Sequence, residues 1–319
     1  MLLTPEILTL DILNILFLLF ATVAFYFSMR ILFLYNADAT TPLQYRLEKQ
    51  SYLVATIIKF IFAIKIPLFI FFIFTLDKIS TVLPGAMCGA GVVNATEYGT
   101  PLLILKILNL YLFGYWIVLN GEDMKSQERK YLRLKFFVFV VAYFLLLIEI
   151  VSQIVMFSSI DVKSVVDCCG AIFSTTNGSY IAEILGAKPL YLLTTFYGVF
   201  SVMFIAYFTN NRYLYSLLNL LYLIIALVTL IAFFGTYIYE LPTHHCPFCL
   251  LQRDYGYVGY FLYITLFIGT FYGLIVGLVE FNKKECKRKL GISMVFDTLY
   301  LIIVSYYLLA YYVKNGVFL

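Results

Sequence analysis

The sequence predicts an all-α, polytopic membrane helical bundle of eight transmembrane helices, forming a single transmembrane domain over residues 1–319. Three observations predict it. Of 319 residues, 63% are hydrophobic and 13% charged, where an ordinary soluble domain carries about a quarter charged residues. Apolar runs near the roughly 20 residues that cross the hydrocarbon as a helix recur along the whole chain. These runs are continuous rather than alternating with period two, which argues against a transmembrane β-barrel.

The runs place spans at about 10–35, 53–76, 101–120, 134–157, 189–209, 213–239, 257–281 and 290–313. The first is preceded by Glu6 rather than a basic stretch, so it is expected to be retained and not cleaved as a signal. The longest gap between spans is about 30 residues, too short to bury an independent soluble core. The lipid bilayer is therefore the expected partner of most of the surface. A formal charge of +4 does not suggest a nucleic-acid partner.

Eight spans put both termini on one side, and basic residues set which side that is. The connection 121–135 carries Lys125, Arg129, Lys130, Arg133 and Lys135, and the connection 282–289 carries Lys283, Lys284, Lys287, Arg288 and Lys289. Short cytoplasmic loops are enriched in Lys and Arg, so these two loops are expected inside and the termini outside. Cys88, Cys168, Cys169, Cys246 and Cys249 then share the outer face, with both histidines, while Cys286 lies in a basic inner loop. An outer, disulfide-permissive face of a bacterial or archaeal cytoplasmic membrane is the expected compartment.

A partial repeat links two of these loops. Cys88-Gly89-Ala90, Asn94 and Gly99-Thr100-Pro101-Leu102 find an echo in Cys169-Gly170-Ala171, Asn177, Gly186 and Pro189-Leu190. Duplicated helical hairpins explain the match; so do glycine turns and a proline in the first helical turn.

The segment His244-His245-Cys246-Pro247-Phe248-Cys249 carries the most chemistry. Its C-x-x-C stands where a loop is expected to enter a helix, a setting that favours the thiolate, the species that attacks disulfides and binds soft metals. Gln252 and Arg253 follow, then Gly256 and Gly259. Here the sequence resembles the disulfide bond formation protein B family of quinone-dependent membrane thiol oxidases, whose C-x-x-C is followed by Gln-Arg or Glu-Arg at a helix entrance. Vitamin K epoxide reductase-like enzymes are a looser parallel. The resemblance covers about 15 residues, from Cys246 to just past Arg253. It implies that Cys246 and Cys249 are the redox pair, that Arg253 and Gln252 lie at a bound quinone, and that Cys88 with Cys168 or Cys169 supplies a second thiol set that exchanges with a soluble thiol protein outside. The family is a bundle of four or five spans with this loop after the first, whereas here the loop follows the sixth.

Two other readings come from the same residues. His244, His245, Cys246 and Cys249 form a compact soft-ligand set suited to copper, zinc or mercury, so the chain is alternatively a metal-binding or metal-delivery protein. A wholly structural reading makes it a subunit of a membrane complex with tight disulfides. Haem is poorly served, because bis-histidine ligation needs histidines on separate spans. Within the spans, Lys65, Glu149 and Asp297 are candidates for buried pairing or proton transfer, whereas Lys59 and Lys106 are expected to snorkel to an interface.

Overall fold

The computed structural model describes residues 4–36, 41–126, 129–166, 188–209 and 211–319. Its helices are α1 (Pro5–Leu34), α2 (Pro42–Ser80), a short α3 (Gly89–Asn94), α4 (Gly99–Lys125), α5 (Leu132–Ser159), α6 (Pro189–Phe208), α7 (Arg212–Thr229), α8 (Gly235–Tyr239), α9 (Val258–Leu278) and α10 (Lys283–Asn315). A π turn, Leu230–Phe234, joins α7 to α8, so the two act as one span. Among the described residues there are eight helical spans long and apolar enough to cross a membrane, and no strand.

Local signals set the helix ends. Pro5, Pro42 and Pro189 open α1, α2 and α6, where the missing N–H would have had no helical partner. Thr41, Asn211 and Asn282 accept the backbone N–H of Gln44, Leu214 and Glu285 at 3.3, 3.2 and 2.8 Å. Gly316 ends α10 in the left-handed region, as helix stops often do. The helix α2 begins well before its apolar run and reaches 39 residues, about 58 Å of helix. Its N-terminal extension is tied to the rest of the unit, where Ser51 and the Tyr52 ring both meet Arg129.

Contacts gather the chain into two compact units, Met1–Pro84 with Val92–Val166, and Gly85–Gly91 with Asp167–Leu319. In the first, α1 packs on α2, α2 on α4, α4 on α5 and α5 back on α1, closing a four-helix ring. The buried residues of α1 are Ile7, Leu10, Asn14, Phe17, Ala21, Ala24, Ser28 and Ile31. Their alternating steps of three and four are a heptad seam, and its small members let neighbouring backbones approach.

Charge inside this unit gathers at two carboxylates. Lys65 and Lys106 both lie 2.8 Å from Glu149 Oε1, and Asn109 donates to Glu149 Oε2 at 2.6 Å. The pairing of Lys65 with Glu149 expected from sequence is present. Lys106 differs from expectation: it does not snorkel but is buried against Glu149 and the Phe72 ring. A carboxylate in hydrocarbon holds an ammonium more strongly than a distant interface draws it. At the other end of the unit, fully buried Asp123 meets Lys135 at 2.6 Å, Arg129 at 3.1 Å and the Tyr131 N–H at 3.1 Å.

In the second unit α6 packs on α7, α7 on α9, α9 on α10 and α10 on α6. Here Asp297 of α10 accepts from Asn219 at 2.9 Å and Ser293 at 3.1 Å. Two glycines of α9 make room. A Cβ on Gly269 would fall 2.1 Å from Asp297 Oδ1, and one on Gly273 2.3 Å from Asn219 Cγ.

Removing one partner of the Asp123 cluster strands two buried cations, so Asp123→Ala is expected to destabilise the folded protein by about 3–5 kcal/mol. A thermal melt of the purified protein in detergent checks this, and an unchanged melting temperature would contradict an internal role for the pair.

Candidate thiol site

The second unit carries the sulfur chemistry at one end. Cys88 comes from the Gly85–Gly91 segment after α2, and Cys246 and Cys249 from the connection between α8 and α9. The three Sγ atoms lie within 4.8 Å of one another, with Cys88 and Cys246 3.5 Å apart. All three are buried, at 0, 0 and 4% exposure. Two residues adjacent in the motif and one about 160 positions earlier thus form a single sulfur triangle. Cys168 and Cys169 lie outside the described residues.

Several contacts hold the triangle. Gln252 Nε2 donates to the Met87 carbonyl at 2.8 Å, tying the C-x-x-C connection to the segment that carries Cys88. Tyr239 OH donates to the Cys246 carbonyl and Tyr263 OH to the Pro247 carbonyl at 2.8 Å. A Cβ on Gly259 would meet Leu250 backbone atoms at 2.8 Å, so only glycine lets α9 close against the residue after Cys249. Neither tyrosine stands out in a sequence that holds 28 of them.

The connection departs from the expected helix entrance. Cys249 opens a three-residue 3-10 turn, Cys249–Leu251, and a second such turn, Arg253–Tyr255, follows. The span itself begins only at Val258. Gly256 and Tyr257 at φ +62° and +57° break the path between them, because left-handed residues cannot continue a right-handed helix. The motif therefore precedes the span by two short turns rather than opening it.

The histidines flank the sulfurs. His245 Nδ1 lies 3.0 Å from the Ile231 carbonyl in the π turn, a type of irregularity frequent at functional sites. His244 stacks edge-on against Tyr239 with centroids 4.4 Å apart, and its Nε2 is buried with no hydrogen-bond partner among the described residues. A soft-ligand group among the described residues is Cys88, Cys246 and Cys249. Arg253 is exposed on its turn.

Burial pushes the His244 pKa below the ordinary histidine value; the Cys88 thiol opposes that shift and His245 adds to it. A group with a depressed folded pKa lets the unfolded chain take up its proton first on acidification. The stability that neutral His244 contributes is therefore intact above about pH 6.5 and is lost as pH falls below it. Melting between pH 8 and 5 should show this loss, and His244→Gln should flatten it; an unaltered slope in the variant would exclude His244 as its source.

Losing the Gln252 anchor should loosen Cys88 from the pair. One hydrogen bond contributes about 0.5–1.5 kcal/mol, so Gln252→Leu is expected to lower the yield of a Cys88–Cys246 cross-link under mild oxidation by about twofold to tenfold. Peptide mapping reads the yield, and an equal yield would show that Met87 is positioned by other contacts.

Within the second unit, the thiol end and the basic end of α10 are opposite. Lys314 pairs with Glu240, beside the end of α8, at 2.7 Å, whereas Cys286 and the lysines around it stand at the start of α10, about 42 Å of helix away. The chain matches no protein-family model, no curated protein and no solved structure, and its site is defined by its own chemistry alone.

Proposed function

We propose that the protein is a membrane thiol–disulfide oxidoreductase in which Cys246, Cys249 and Cys88 relay electrons between an outer thiol substrate and a membrane quinone. The observation that carries this is the 3.5 Å separation of Cys88 and Cys246 beside Cys249. Sulfurs at that distance are in contact, and a bond of about 2.05 Å needs only a small side-chain movement. Attack of the Cys88 thiolate on a Cys246–Cys249 disulfide forms the Cys88–Cys246 bond and releases the Cys249 thiolate, with no net change in oxidation state.

Net oxidation takes two electrons and two protons from a substrate dithiol. A quinone dissolved in the bilayer would accept both, being reduced to the hydroquinone. Residues of this chain fit such a group: Arg253 is an exposed fixed cation on the turn beside Cys249, and Tyr257 and Phe261 present exposed rings at the start of α9. A guanidinium suits a developing quinone oxyanion. In this reading Cys168 and Cys169, which lie outside the described residues, are further thiols for exchange with a soluble thiol protein. The opposition of thiol and basic ends in the second unit supports an outer location for the sulfurs, the positive end lying inside.

A second reading has its own support. Metal–sulfur bonds of about 2.3 Å put the sulfurs of a trigonal site about 4 Å apart, within the observed spread. Copper, zinc or mercury held by three thiolates would make the chain a metal-handling protein.

Alkylation trapping in membranes separates the two. Thiol oxidoreduction predicts that the cysteines are protected after quinone addition and labelled after reductant. It also predicts that Cys249→Ser accumulates a Cys88–Cys246 disulfide. Stoichiometric metal in the purified protein that is lost in Cys246→Ser, without quinone-linked protection, would sink the redox reading in favour of metal handling.

A further inference from the structure

The first unit holds an excess of buried positive charge around a small cavity. Lys65 and Lys106 are 5 and 7% exposed, and between them they have one carboxylate, Glu149, at 2%. Both ammoniums contact the same oxygen of that carboxylate, Oε1, while Oε2 is taken by Asn109. Asp11 stands one turn further out on α1, only partly buried, and accepts from Gln153 at 2.9 Å. Its charge also acts on Lys106, as the least of the influences there.

Hydrogen-bond capacity around the cavity is equally one-sided. The cavity measures about 10 Å³, and its lining includes the polar residues Asn14, Lys65, Lys106 and Glu149 and the apolar Leu110 and Phe113. An ammonium has three N–H groups. Lys65 directs two, to Asn14 Oδ1 at 3.0 Å and Glu149 at 2.8 Å, and Lys106 directs one to Glu149. Asn14 is 1% exposed and its Nδ2 has no partner. Its amide cannot gain by flipping, because its oxygen already serves Lys65. Donors thus surround a space of roughly one water molecule, and the acceptors on its wall are already in use.

We propose that this cavity is a binding site for a compact inorganic anion, with fluoride favoured over chloride and both over bromide. An anion between Lys65 Nζ, Lys106 Nζ and Asn14 Nδ2 would accept the spare N–H groups and balance the surplus cation. Water would satisfy two donors but leave the charge uncompensated in a region where that is costly. Size sets the order, since the cavity holds a water-sized body and the larger halides require the lysines to move. The site lies wholly in the first unit and is independent of the thiol chemistry.

Calorimetric titration of the purified full-length protein in sodium gluconate with sodium fluoride, chloride or bromide tests this. One saturable site per chain is expected, with affinity falling from fluoride to bromide. Lys106→Met, which leaves Glu149 paired with Lys65, and Asn14→Leu, which changes no charge, should each weaken fluoride binding at least tenfold. Cys246→Ser should bind as the unaltered protein does. Absence of saturable binding to the unaltered protein overturns the proposal, whatever the variants do. Equal binding by a folded Asn14→Leu and a folded Lys106→Met overturns it too, and binding lost in Cys246→Ser would move the site elsewhere.

Discussion

Glu149, bonded at once by Lys65, Lys106 and Asn109, is the interaction on which the first half of this protein depends. These donors come from α2 and α4, and Lys65 carries the connection on to Asn14 of α1. One carboxylate on α5 therefore specifies which faces of all four helices turn inward. In hydrocarbon, apolar packing alone gives little such specificity, because lipid tails satisfy a leucine as well as a protein interior does. Asp297 has the corresponding place in the second unit, where Asn219 and Ser293 meet it and Gly269 and Gly273 give it space.

The sulfur triangle rests on that framework. With α7 and α9 held side by side in the second unit, the connection between α8 and α9 can remain irregular and still be fixed. The phenols of Tyr239 and Tyr263 grip its carbonyls, Gly259 lets α9 close on Leu250, and Gln252 reaches the Met87 carbonyl. Burial keeps the thiols away from adventitious oxidants, while contact distance leaves them able to exchange with one another.

How far the sequence is legible differs by feature. The spans follow from hydropathy because burial in lipid and burial in protein select the same residues, and helix ends follow where Pro5, Pro42, Pro189, Asn282 or Gly316 mark them. The faces of the helices do not follow. On α1 the buried seam, apart from Asn14 and Ser28, is as apolar as most of the exposed surface, so the heptad that organises it carries little contrast. Lys106 illustrates the same limit: its position near a helix end suggested an interface, and only its proximity to Glu149 across the bundle shows it buried.

By itself, then, the sequence determined a chain built for the bilayer, eight helices, and a C-x-x-C motif with spare cysteines elsewhere, since composition, run length and spacing are local properties. Tertiary structure decided that Cys88 joins Cys246 and Cys249, that the histidines stand beside rather than within the described sulfur group, and that two lysines share one carboxylate next to a small cavity. Each of these depends on residues 40 to 160 positions apart meeting at 3 to 5 Å. Such meetings are set by helix packing, and the hydropathy of a membrane helix does not encode its partner.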